Sequence, residues 1–192
     1  MIKHLQTMAL ISIFAITAGC QTNQTTSATG ANVVKGANAE MDQEAKAALK
    51  SLYASTPQAR ALAKKAKGIL VFPDVLKAGL IVGGQHGEGE LIENGKVTGY
   101  YATTAASYGL QAGAQKFAYV MFFMTYSAMN DLKDVRGFEV GVGPSIVVVD
   151  SGVAKSLTTA TAQSDVYAFI FDQKGLMAGL GLQGSKITRL DR

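Results

Sequence analysis

The chain has no tryptophan, three prolines, two histidines and one cysteine among its 192 residues. A lone cysteine excludes an internal disulfide framework. No serine sits in a G-x-S-x-G elbow, and no His, Cys and carboxylate set has metal-ligand spacing, so the residues offer no catalytic constellation and imply no cofactor. Charge is also sparse. Charged residues make up 17% of the chain and sum to +4, one unit of which is Lys3 near the N-terminus. That excess is too mild and diffuse for nucleic acid, yet compatible with anionic lipid. Glycine, by contrast, is abundant at 21 residues.

The first residues, Met1-Ile-Lys-His, are followed by an apolar run from Met8 to Ile16 and then by Thr17-Ala18-Gly19-Cys20. A charged start, a short apolar run and small residues before a cut are the parts of a secretory signal. The run falls short of the roughly 20 apolar residues that span a bilayer. Ala18-Gly19-Cys20 resembles the bacterial lipobox, whose cysteine becomes the lipidated first residue of the mature protein. Thr17 stands where that pattern usually has Leu. Residues 1–19 are therefore expected to be a lipoprotein signal peptide and Cys20 the lipidation site, an ordinary signal with an incidental cysteine being the competing reading. Two or more acyl chains give stable anchoring. Residues 20–37 read as the lipidated cysteine and a flexible polar tether, with a mean reach of roughly 20 Å. Gln21 after the cysteine is not the Asp of inner-membrane retention, so the expected location is the cell envelope, at the outer membrane facing the periplasm.

Residues 38–192 suffice for one domain with a core of its own. Met41, Ala45, Ala48, Leu49 and Leu52 recur at helical spacing, predicting a helix over Ala39–Tyr53 with Asn38 as its cap. Thr56-Pro57 opens a second helix expected to run to about Lys67, before Gly68. Strand patterns follow at Ile69–Phe72, Ala78–Gln85, Gly89–Ile92, Val97–Thr104, Tyr108–Ala114, Ala118–Thr125, Phe138–Val142, Ser145–Val149, Val166–Phe171, Leu176–Leu182 and Lys186–Leu190. Glu93-Asn94-Gly95-Lys96 predicts a type I′ hairpin, Asp172–Gly175 a second turn, and Ser127–Asp134 a short helix. Ser151–Ser164 is read as loop. Glycines inside the strand-like runs imply bends, bulges or close backbone approach. The fold expected is α+β, mainly β: a compact antiparallel β-barrel core with about three helices packed outside, a flat sandwich being the alternative.

Six blocks resemble the SYLF domain family, also called the Ysc84 actin-binding domain. They are Ala66-Lys67-Gly68-Ile69, Lys77–Gly83, Gly109–Gly113, Val120–Thr125, Gly141–Pro144 and Lys174–Gly179, in the order and spacing of that family, so the resemblance covers about Lys50 to Arg192. It implies a β-barrel decorated by helices, binding of phosphoinositides or other anionic lipids, no enzymatic activity and, in eukaryotic relatives, links to actin. Where those relatives carry Tyr-Ser-Tyr-Ser or similar, this chain has the more apolar Tyr167–Asp172. An actin partner does not suit an exported bacterial protein, so lipid binding alone is carried over.

A headgroup site needs cations beside apolar surface. Arg60, Lys64 and Lys67 fall at i, i+4 and i+7 with Lys65 beside them, opposite an apolar stripe of Ala59, Leu62, Ala63 and Ala66. With Lys77 from the following loop, they form the expected lipid-headgroup face, weighed against an ordinary solvated helix surface. Lys174, in the predicted turn before Gly175, is a further headgroup candidate. His86, Glu88 and Glu90 alternate onto one strand face and could be imagined on a metal, though such stripes usually face water. Gly179–Gly184 matches GxGxxG but lacks the helix that a dinucleotide needs after it. The apolar Phe117–Tyr126 stretch reads as a strand buried on both faces, or as one wall of a lumen holding an acyl chain. The expected partners are thus anionic membrane lipids and a covalent N-terminal lipid, without nucleic acid. A periplasmic carrier of an acyl chain or small apolar ligand, and an envelope scaffold for other proteins, are the alternatives.

Overall fold

A computed structural model describes residues 25–108, 113–134, 137–140, 143–149, 163–176 and 185–191. The expected signal peptide, Cys20, the GxGxxG stretch and most of the Ser151–Ser164 loop lie outside them. The order is α1 (Thr25–Ser55), α2 (Pro57–Ala63), β1 (Gly68–Gly79), β2 (Val82–Glu93), β3 (Lys96–Tyr108), β4 (Gly113–Phe123), α3 (Tyr126–Lys133), β5 (Phe138–Glu139), β6 (Ile146–Val149), β7 (Val166–Leu176) and β8 (Lys186–Leu190). The strands form one sheet in the order β5-β8-β3-β2-β1-β4-β7-β6. Every pairing is antiparallel except β6 with β7, which is parallel.

The sheet curls without closing. Phe123 of β4 and Phe138 of β5 meet edge to face with ring centroids 5.8 Å apart, although four strands separate them in the sheet order. In a flat sheet, five steps of about 4.8 Å would hold them some 24 Å apart. No ladder joins the outer strands β5 and β6 among the described residues. The closed barrel expected from the glycines is thus corrected to an open half-barrel, and the flat sandwich is set aside. The glycines do supply tight curvature. A Cβ on Gly89 would overlap the Val71 carbonyl of the neighbouring strand, and β1 has a register shift between Val71 and Asp74.

Two apolar layers hold the half-barrel. Its concave face gathers Leu70, Phe72, Leu91, Tyr101, Tyr119, Met121, Phe123 and Ile187, with Ala128, Met129 and Leu132 of α3 closing one end. Its convex face presents Val71, Val120, Phe122, Tyr167 and Phe169 to Ala45, Ala48 and Leu52 of α1 and to Ala59 and Leu62 of α2. Strand β4, buried on both sides from Phe117 to Phe123, lies between the layers as its apolar run requires. Burial of each large side chain contributes about 1.5–3 kcal/mol. The layers therefore fix where every element sits.

Several boundaries differ from the sequence expectation. Helix α1 starts at Thr25, taking in most of the stretch read as a coil tether. Residues 32–37 have no buried face, so helix there extends from the docked part, which escapes the cost of a new nucleus. Ala78–Gln85 is not one strand but the tip of a hairpin, with Leu80 and Ile81 between β1 and β2. Asp172–Gly175 is not a turn. It lies inside β7, where the register against β4 shifts between Lys116 and Ala118 and where Asp172 and Gly175 take positive φ of 52° and 108°. Helix α3 begins one residue early, capped by Thr125, whose side chain accepts from the Ala128 N–H.

Candidate functional site

The six lysines and arginines named from the sequence fall at two opposite ends of the sheet. Arg60, Lys64, Lys65 and Lys67 are all exposed. Helix α2 stops at Ala63, so this face is built from one helical arginine and the turn that follows rather than from a long helix. The Lys67 N–H donates to the Phe123 carbonyl, 2.7 Å away, which ties the face to the end of β4. The Arg60 guanidinium lies 5.5 Å from the Tyr53 ring centroid and the Lys67 ammonium 5.2 Å from that of Tyr126. Tyr126 is itself 70% exposed. The result is a cationic surface with an exposed amphipathic ring beside Lys67.

Lys77 is not in a loop after α2. It lies nine residues along β1 from Gly68 and is buried, on the concave side, opposite Gln85 of β2 and Gln115 of β4. Lys174 sits in β7 opposite Lys116 and lines a cleft of about 320 Å³ with Glu44, Asp74, Lys116 and Asp172. Lys116 is ion-paired with Asp74, whose hydrogen bond and charge hold the ammonium above its usual range. At about 3.3 Å per residue, the length of β1 keeps Lys77 roughly 30 Å from Gly68 and the neighbouring Lys67. The named cations do not form one site.

His86, Glu88 and Glu90 do share a strand face, the convex one beneath α1. Among the described residues no three His, Cys, Asp or Glu side chains converge as a metal site. Glu90 has another part to play. It is fully buried and neither carboxyl oxygen has a donor. Burial first, and then the neighbouring Asp42 carboxyl, push it up from 4.5 to about 8. Two facing carboxyls are both acceptors when charged, so their contact is a hydrogen bond only while Glu90 keeps its proton. Asp42 also accepts from the Tyr100 hydroxyl at 3.1 Å. The trio pins α1 to β2 and β3.

On the concave face, Tyr101, Thr103, Gln115, Tyr119 and Ser185 each hold a buried side-chain oxygen without a partner. Register places them in adjacent rows. Ala105, Gln85, Lys77 and Gln115 run across the sheet, with Ile187, Thr103, Gly87, Val75 and Phe117 in the next row and Ser185 just before β8. From this polar row the face becomes apolar toward α3. A second feature went unread in the sequence: Leu80, Ile81 and Val82 are 70%, 55% and 68% exposed. The sequence pattern reads as the interior of a strand, and the flanking Gly79 and Gly83 are the sign of a turn.

The half of the fold from the middle of β3 to β8, with its bulged β7 and buried β4, can now be compared with known proteins. Residues 104–192 match the Ysc84 family, described as Las17-binding protein actin regulator. The match starts at Thr104, later than the Lys50 at which the resemblance read from the sequence begins. It takes in Lys174 and leaves out the α2 cations and the β1–β2 hairpin. That description names a regulator. No curated protein matches the sequence. No helix among the described residues is long and apolar enough to cross a membrane.

Proposed function

We propose that this is a lipoprotein, anchored through Cys20 in the bacterial cell envelope, whose folded domain binds anionic lipid headgroups through Arg60, Lys64, Lys65 and Lys67. The observation that carries the reading is the exposure of all four cations on α2 and the turn after it, with the exposed Tyr126 ring beside Lys67. Each such cation near an anionic surface contributes about 1 kcal/mol, and a tyrosine suits the interface between water and lipid. Las17 binding and actin regulation belong to the description of the matched family and are not carried to this chain. The expected outer-membrane location follows the same proposal, resting on the lipobox-like sequence.

The test is cosedimentation of a chain beginning at Gln21 with phosphatidylglycerol and phosphatidylcholine vesicles at two salt concentrations. Binding should favour the anionic vesicles and fade as salt rises. The variant Arg60→Gln/Lys64→Gln/Lys67→Gln should lose about 100-fold in affinity at low salt. Unchanged affinity in that variant rules the face out. The carrier reading retains one support, the unpartnered oxygens and Lys77 on the concave face. A chain that ignores vesicles but keeps a small bound mass after mild extraction would move the assignment there.

A further inference from the structure

We infer that the β1–β2 hairpin tip, Leu80-Ile81-Val82, is a second lipid contact that inserts into the acyl region of an anionic bilayer. Three consecutive large apolar side chains are more than half exposed there, which is unusual at a turn, where polar and small residues prevail. The turn does not owe its shape to them. Gly79 and Gly83 pair across it so closely that a Cβ on Gly79 would lie 2.6 Å from the Gly83 Cα. The glycines allow the crossing, and Leu80 and Ile81 project beyond it.

Charge around the tip selects the partner. Register sets Leu76, His86, Thr104, Lys116, Lys174 and Lys186 at one level across β1, β2, β3, β4, β7 and β8. From that level to the tip, the described residues of those strands include the exposed Lys116, Lys174 and Lys186, the first of them paired with Asp74, and no acid, while Lys77 is buried. Glu139, on edge strand β5, faces Lys186, and Asp74 and Asp172 lie below the level. An apolar tip above a belt of cations complements an anionic lipid surface, with hydrocarbon for the tip and phosphates for the lysines. A second copy of the chain would bring an equally cationic tip and be repelled. The α2 face lies near the opposite end of β1, so the two contacts are separate.

Because the protein lacks tryptophan, a single one reports cleanly. Ile81→Trp in the full lipidated chain, reconstituted into phosphatidylglycerol vesicles, should shift its emission to the blue and be quenched by brominated acyl chains. Lys96→Trp, at the start of β3 beside the Asn94-Gly95 turn, should stay water-like and unquenched. The Ile81→Trp quenching should persist when Arg60, Lys64 and Lys67 are changed to Gln, which separates this contact from the α2 face. Water-like emission from Ile81→Trp, loss of quenching in the neutralised background, or a blue shift that bromine does not quench would each overturn the inference. The last would show that protein covers the tip.

Discussion

At one end of β2 the chain turns through Asn94-Gly95, with φ of 51° and 76°. At the other it turns through Leu80-Ile81, where neither residue takes positive φ and the Leu80 N–H donates to the Val82 carbonyl. The first turn uses the residues that tolerate its geometry and exposes nothing apolar. The second uses flanking glycines to make the bend and spends its central positions on apolar side chains. One hairpin is shaped by the needs of the fold alone. The other carries chemistry that the fold does not require, and the contrast shows how a functional feature can hide in a residue pattern that resembles a strand.

The comparison can be broken first in the strand both turns share. Glu90 has a folded value of about 8 against an ordinary 4.5, so the folded state holds the extra proton between those values. Its stabilising effect is complete below about pH 4.5 and is lost as pH rises through about 8. Urea titrations should therefore show stability falling across this window by up to about 5 kcal/mol, levelling off above it. Glu90→Gln should remove that slope and leave the mutant the more stable protein at pH 9. A slope that survives the substitution would assign it to another group.

The next test exchanges the turns. Asn94-Gly95 replaced by Leu-Ile should cost about 3 kcal/mol, because both residues must then hold positive φ. Leu80-Ile81 replaced by Asn-Gly should leave the urea midpoint nearly unchanged. Equal losses from both exchanges would dissolve the distinction between the two ends. The smallest effect is expected beside the Asn94-Gly95 turn, where the Lys133 ammonium lies 2.8 Å from the Glu93 carboxylate at a partly exposed pair. Burial acts to raise Glu93, but hydrogen bonds from Lys133 and Thr98 and the charges of Lys133 and Arg189 outweigh it and hold the group below its usual range. Lys133→Ala should cost less than about 1 kcal/mol, by the same titration.

Local patterns were legible where spacing and composition alone set the structure. The Ala45, Ala48 and Leu52 stripe, the Asn94-Gly95 turn and the doubly buried run of β4 each follow from spacing and composition. Closure was not legible. Glycines such as Gly89 signal that strands approach closely, but the same signal serves a full barrel and an arc, and the difference lies in long-range pairing between β5 and β6. The cations illustrate the same limit. Arg60, Lys64 and Lys67 sit together because they are neighbours in sequence. Lys77 could be assigned to them only while β1 was thought to begin and end early. Glu90 was noticed for its alternation with His86 and Glu88, yet its partner Asp42 lies on another element, beyond the reach of periodicity.

Helix α1 crosses the strands instead of running along them. Asp42 meets Tyr100 of β3, and Ser51 donates to Asp172 of β7 at 2.7 Å. A tug on the N-terminal end of α1 consequently peels the helix sideways, one strand after another. One fastening that bears that load is the proton held between Glu90 and Asp42, so alkaline surroundings should loosen the grip between leash and body before they disturb the sheet itself.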